Sequence, residues 1–185
     1  MIKDVNRDLE KRMNGAIESL HGEFRALRTG RASAAIVDGV MVDYYGTPTP
    51  ISGVANISVP EASLLVAQPW DKSMIPAIEK AIRNADLGLN PSNDGKVVRI
   101  PIPQLTEERR KELAKKAHVA AEETRTAIRQ VRRDGNDKIK RMLKESEISE
   151  DDEKRALEDT QKLTDRFIGQ VAELLRHKET EIMDV

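Results

Sequence analysis

Cysteine is absent from all 185 residues, which removes disulfides, thiolate catalysis and Cys-ligated zinc together. Aromatic residues make up only 3% of the chain and charged residues 34%, a balance that suits long exposed helices better than a compact enzyme. No apolar run approaches the roughly 20 residues that cross a bilayer, and the N-terminus alternates charge where a signal peptide would carry an apolar core. The expected setting is therefore cytoplasmic, with no membrane contact. No Gly-rich loop matches a phosphate-cradling fingerprint, so neither a nucleotide nor another small-molecule substrate is expected. His21, His118 and His177 lack neighbours at metal-ligand spacing and read as surface histidines. No catalytic residue, metal site or cofactor follows from this chain, and it is not expected to be an enzyme.

What is present is helical periodicity. Across residues 107 to 145, Leu113, Ala117, Ala121, Thr124, Ile128, Val131, Gly135, Ile139 and Met142 recur at steps of three and four, the spacing of one helix face. At 1.5 Å per residue such a helix runs about 58 Å, which predicts the spine of an elongated bundle. Residues 1 to 28 predict another helix through Ile2, Val5, Leu9, Met13, Ile17, Leu20, Phe24 and Leu27, with Gly30 as its left-handed terminator. A third follows Ser149, which with Asp152 resembles a capping box. Its expected inner face is Leu157, Leu163, Phe167, Val171, Leu174 and Ile182.

Proline is missing from these three stretches. All eight prolines, the single Trp70 and both tyrosines, Tyr44 and Tyr45, fall within residues 31–104. Because proline is tolerated in turns and sheet edges but not inside long helices, this is a separate unit. Short strands are expected around Val40 to Tyr44, Ala55 to Val59, Leu64 to Ala67 and Lys96 to Ile100. Tyr45-Gly46-Thr47-Pro48 and Asn93-Asp94-Gly95 supply turns, and one amphipathic helix carries Ile75, Ile78, Ala81, Ile82 and Ala85 between Ser73 and Gly88. The predicted class is α+β: an antiparallel three-helix bundle from residues 1–30 and 105–185, with a small β/α/β domain inserted at 31–104. Two linkers join them, Thr29-Gly30-Arg31-Ala32 and Pro101-Ile102-Pro103-Gln104. One holds glycine and the other is stiffened by proline, the composition of a hinge.

The formal net charge of −1 conceals segregation. Residues 107 to 145 carry 13 Lys and Arg against eight Asp and Glu, and residues 149 to 185 carry six against 11, so two opposite excesses of five cancel. On the long helix, Arg125, Arg129, Arg132, Arg133 and Lys140 fall within a sector of roughly 100° beside the core stripe. Guanidinium forks match phosphate oxygens, and a rigid helix fixes their spacing, which suits folded RNA. The plainer reading is a solvated face with surface ion pairs, and Glu122 lies in the same arc. A further alternative is a coiled-coil adaptor that binds protein partners through the acidic third helix.

Six segments carry a resemblance to a known family. Arg28-Thr-Gly-Arg-Ala-Ser33, Tyr44-Tyr-Gly-Thr-Pro-Thr-Pro50, Asp86-Leu-Gly-Leu-Asn-Pro91, Leu105-Thr-Glu-Glu-Arg-Arg-Lys111, Val131-Arg-Arg-Asp-Gly-Asn136 and Ile148-Ser-Glu-Asp-Asp152 resemble the signature segments of bacterial ribosome recycling factors, in the same order and over the whole length. The resemblance implies a three-helix bundle with a hinged β/α/β domain, L-shaped and comparable in size to transfer RNA. It implies a monomer that acts after peptide release: with elongation factor G and its GTP hydrolysis, it splits the post-termination ribosome into subunits and cleaves nothing itself. It further implies that the bundle binds large-subunit ribosomal RNA through Arg132 above all, with Arg129 and Arg133 beside it and Arg28, Arg31 and Arg110 as further contacts. Gly135 stands where the family pattern leads one to expect alanine.

Overall fold

The computed structural model describes Met1–Asp184, and the chain divides into two compact units. The first comprises Met1–Arg28 and Glu107–Asp184, the second Thr29–Thr106. The class is α+β.

Three long helices build the first unit: α1 (Ile2–Ala26), α3 (Glu107–Lys144) and α4 (Glu150–Met183). At 38 residues, α3 is about 57 Å long. Its buried stripe runs Leu113, Ala117, Ala120, Ala121, Thr124, Ile128, Val131, Gly135, Ile139 and Met142, matching the periodicity read from sequence. Against it α1 sets Val5, Leu9, Met13, Ile17, Leu20 and Phe24. The helix ends earlier than expected, at Ala26, with Leu27 already extended. Gly30, at φ 76°, therefore lies beyond the helix and does not terminate it.

The inner face of α4 is rotated from the expected one. Ala156, Thr160, Thr164, Phe167, Val171, Leu175, Lys178 and Ile182 are buried, whereas Leu157, Leu163 and Leu174 are only half-buried. Threonine can occupy the seam because its hydroxyl satisfies itself locally. Thr160 donates to the Ala156 carbonyl at 2.9 Å, Thr164 to Thr160 at 2.8 Å and, on α3, Thr124 to Ala120 at 2.9 Å.

The turn between α3 and α4 is defined by backbone geometry. Ser146 takes a left-handed φ of 59°, its N–H donates to the Leu143 carbonyl, and the Glu147 N–H reaches back to that of Met142, both at 2.9 Å. This pair of bonds is a Schellman ending with serine in the usual glycine position. Helix α4 then opens with the expected capping box: the Ser149 hydroxyl accepts from the Asp152 N–H, and the Asp152 carboxylate from the Ser149 N–H.

In the second unit, β1 (Met41–Tyr44) pairs antiparallel with β2 (Thr47–Pro50) through the tight turn Tyr45-Gly46. Both turn residues have positive φ, as a primed hairpin turn requires. A second, antiparallel sheet has the order β3 (Ala55–Glu61), β4 (Leu64–Pro69), β6 (Val98–Pro101), β5 (Ser92–Asn93). Helix α2 (Ile75–Asn84) buries Ile75, Ile78 and Ile82 in a core shared with Val42, Leu65, Ala67, Val98 and Ile100. It is preceded by a single 3-10 turn capped by Asp71, whose carboxylate accepts from the Ser73 N–H; Ser73 is thus the capped residue and not the cap. Strands β2 and β5 are additions to the strands expected from sequence.

Candidate nucleic-acid interface

Helix α3 brings Arg125, Arg129, Arg132, Arg133 and Lys140 onto the shoulder that flanks α4, because they step by three, four and seven residues beside the Ile128 and Ile139 stripe. The orientation is fixed by bonds on either side. Arg132 meets Gln161 of α4, while Asp134, on the other flank, meets Arg12 of α1.

The cations of this arc are not equivalent. Arg125 has only 18% of its side chain exposed and ion-pairs with Glu122 one turn away, so its charge is largely cancelled. Arg129 and Arg133 are exposed, and among the described residues neither makes a hydrogen bond or an ion pair. They lie one turn apart, about 6 Å along the axis. Arg132 is half-buried and donates Nη1 to the Gln161 Oε1 at 3.3 Å, a bond to a neutral amide that leaves its charge intact. Lys140 extends the arc at its far end and is exposed.

The other anticipated cations lie elsewhere. Arg110 is half-buried, with a buried Nε that has no hydrogen-bond partner, and helical position puts it in line with the core stripe, outside the arc. Arg28 is exposed beyond the end of α1 in the first unit, and Arg31 is exposed in the second.

The flank facing α1 is held by charge. The Asp134 carboxylate accepts from Arg12 Nη2 at 2.5 Å and from Gln130 Nε2 at 2.8 Å. These bonds, Arg12 first, hold its pKa below the ordinary carboxylate value. Asp134 is thereby bonded to α1, and the charge of neighbouring Arg133 adds a smaller pull on its pKa in the same direction. On the α4 side, His118 is a surface histidine whose Nε2 lies 2.5 Å from Glu179. Among the described residues no cluster of His, Asp or Glu could hold a metal ion, and no helix is long and apolar enough to cross a membrane.

The arc contains no aromatic ring. Phe24 and Phe167 are in the bundle core, while Tyr44, Tyr45 and Trp70, all exposed, belong to the second unit. What the shoulder offers is therefore charge and hydrogen-bond donors at fixed pitch, the chemistry of phosphate recognition.

Comparison with known proteins establishes the family. The sequence model of the ribosome recycling factors matches residues 20–183. The chain belongs to the ribosome recycling factor family. It is 57% identical over 185 residues to the ribosome-recycling factor of Syntrophomonas wolfei, covering all of both chains. To that of Clostridioides difficile it is 56% identical over 182 residues, 98% of each. A solution structure of a ribosome recycling factor superposes with a TM-score of 0.73 at 46% identity, covering 100% of this chain and 98% of the other. A second structure matches with a TM-score of 0.63 at 44% identity over 99% of both chains. It belongs to models of the T. thermophilus ribosome recycling factor and E. coli elongation factor G bound to the E. coli post-termination complex. The family takes its name from ribosome recycling.

One participant escapes sequence reading. Gln161 meets Arg132 across 29 positions of chain, and nothing in the periodicity of α4 marks a solvent-side glutamine as a partner of α3.

Proposed function

We propose that this chain recycles ribosomes after termination by docking its bundle on large-subunit ribosomal RNA and working with elongation factor G. The bundle binds RNA phosphates through Arg129, Arg132 and Arg133. Elongation factor G, driven by GTP hydrolysis, then bears on the second unit, and the bundle transmits the load until the subunits part and the mRNA is released. The chain itself makes and breaks no covalent bond, binds no nucleotide and acts as a cytoplasmic monomer.

The observation that carries this reading is the arc on α3: charged guanidiniums at helical pitch, two of them without a hydrogen-bond partner among the described residues, on a helix buried along one face from Leu113 to Met142. A rigid element of this kind fixes the spacing of its donors before binding, which lowers the ordering cost. The solved relative bound with elongation factor G to a post-termination complex supports the choice of partners. Nothing favours the adaptor reading.

The hinge proposed at Thr29-Gly30-Arg31-Ala32 and Pro101-Ile102-Pro103-Gln104 adjoins residues bonded into the second unit. The Ala32 N–H donates to the Ala62 carbonyl and the Ile102 N–H to that of Ser63, each at 2.7 Å, and Ile102 is buried in the second core. Ala32, Pro101 and Ile102 thus belong to the second unit's fabric.

The test is subunit splitting, followed by light scattering with purified post-termination ribosomes, elongation factor G and GTP. Splitting that requires this chain together with both is expected; ribosomes that stay joined in the complete mixture would refute the proposal.

A further inference from the structure

Gln161 and Asp165 lie one turn apart on α4, and their side chains are linked. Gln161 Nε2 donates to the Asp165 Oδ1 at 2.7 Å, and Gln161 Oε1 accepts from Arg132 Nη1 at 3.3 Å. An amide has one donor end and one acceptor end. Asp165, as a carboxylate, can only accept, so it claims the NH2 end of Gln161 and leaves the oxygen facing Arg132. The relay therefore runs from Asp165 through Gln161 to Arg132, across the seam between α4 and α3.

We infer that Gln161 is a positioning residue for Arg132: a charge-neutral tether, oriented by Asp165, that holds the guanidinium ready for an RNA phosphate without cancelling its charge. This rests on the RNA-binding role proposed for Arg132. The chemistry explains why an amide is placed here. A guanidinium has five N–H donors in a fixed fork, and one bond to Gln161 leaves the rest for a bidentate phosphate contact. A carboxylate at position 161 would hold Arg132 as well or better, but would compete for the same charge. The protein contains that contrast on the same shoulder. Arg125 is paired with the carboxylate of Glu122 and largely covered, whereas Arg132 is paired with an amide.

The two helices thus share the interface. Helix α3 supplies the cations and α4 fixes the rotamer of one of them, so fewer side-chain conformations need to be lost when RNA arrives. The acidic excess of α4 does not enter this contact directly, because the amide stands between Asp165 and the arginine.

The experiment uses the full chain and isolated large ribosomal subunits, with dissociation constants measured across a salt series for Gln161→Met, Gln161→Glu, Arg132→Ala and Gln161→Met combined with Arg132→Ala. Gln161→Met, which keeps length and removes the bond, should weaken binding about three- to tenfold, the range of one net hydrogen bond, with thermal stability unchanged. In the Arg132→Ala background the same change should have no further effect, because nothing is left to position. Gln161→Glu should weaken binding at least as much as Gln161→Met and flatten the dependence of log affinity on log salt by up to about one unit, since one cation is withdrawn from phosphate. A merely structural role would not move the salt slope. Gln161→Met that binds like the parent chain, or that costs the same factor with and without Arg132, would overturn the tether while leaving Arg132 as an RNA contact. If Arg132→Ala itself binds like the parent chain, the role of Arg132 fails and the tether with it.

Discussion

Gly135 of α3 faces Leu9 of α1 so closely that a Cβ added at 135 would lie 2.5 Å from Leu9 Cδ1 and 3.2 Å from its Cγ. Leu9 is 1% exposed, so a side chain at 135 would require its methyl groups to shift within a filled core. Glycine inside a helix ordinarily costs about 1 kcal/mol relative to alanine. Overpacking a filled core costs about 1–3 kcal/mol, and here the overlap reaches past the methyl tips of Leu9. Packing outweighs propensity. Gly135→Ala should therefore destabilise the bundle by up to about 2 kcal/mol, the overpacking cost less the propensity gain, read from urea unfolding midpoints. Combining it with Leu9→Ala should recover part of the stability that Leu9→Ala removes alone. A stabilised Gly135→Ala variant would show that α1 and α3 have room to part.

The turn after α3 makes the opposite prediction for glycine. Ser146 holds a left-handed φ of 59° in a motif that glycine fills without a steric penalty. Left-handed backbone costs an ordinary residue roughly 1–2 kcal/mol, and glycine's greater freedom in the unfolded chain returns part of that. Ser146→Gly should raise stability by about 0.5–1 kcal/mol, seen as a higher midpoint with an unchanged slope in denaturant. A lower midpoint would mean that the serine side chain contributes more than its backbone costs.

Much of this architecture can be read from residue spacing, and the exceptions have physical causes. The core stripe of α3 from Leu113 to Met142 is a clean period because alanines, isoleucines and one glycine face two neighbours. The α4 seam is misplaced by sequence because hydropathy favours Leu157 and Leu163 over Thr160 and Thr164, while the structure buries the threonines with their hydroxyls returned to the backbone. Strand β2, Thr47-Pro48-Thr49-Pro50, reads as a turn because of its prolines. In a two-stranded ribbon, however, only alternate residues must donate across the ladder, and the prolines occupy the others. The arc of arginines is visible as spacing. Which members are usable is not, because the partners Glu122, Gln161 and Arg12 are fixed by rotamers and by neighbouring helices.

That distinction gives a prediction of increased affinity. Glu122 ion-pairs with Arg125 and lies on the same shoulder as Arg129. Glu122→Gln removes a negative charge from the face proposed to meet phosphates and releases Arg125 from its pair. Large-subunit affinity should rise about two- to fivefold at low salt, the scale of a surface ion pair, and the gain should shrink as salt screens it. Arg125→Ala in the parent chain should by comparison cost less than Arg129→Ala. Equal losses for the two arginines, with no gain from Glu122→Gln, would mean that the internal pairing has no bearing on binding.

The central claim is that α3 grips ribosomal RNA through three arginines, and its most direct measurement is the affinity of the full chain for isolated large subunits over a salt series, with and without Arg129, Arg132 and Arg133 replaced together by alanine. Removing three guanidiniums that each bond a phosphate should weaken binding on the order of 100-fold or more. The slope of log affinity against log salt should become shallower by about two to three units, as the phosphates they neutralise are released. Helical content should be retained. A triple variant that binds with the parent's affinity and salt slope, its helices intact, would contradict the account.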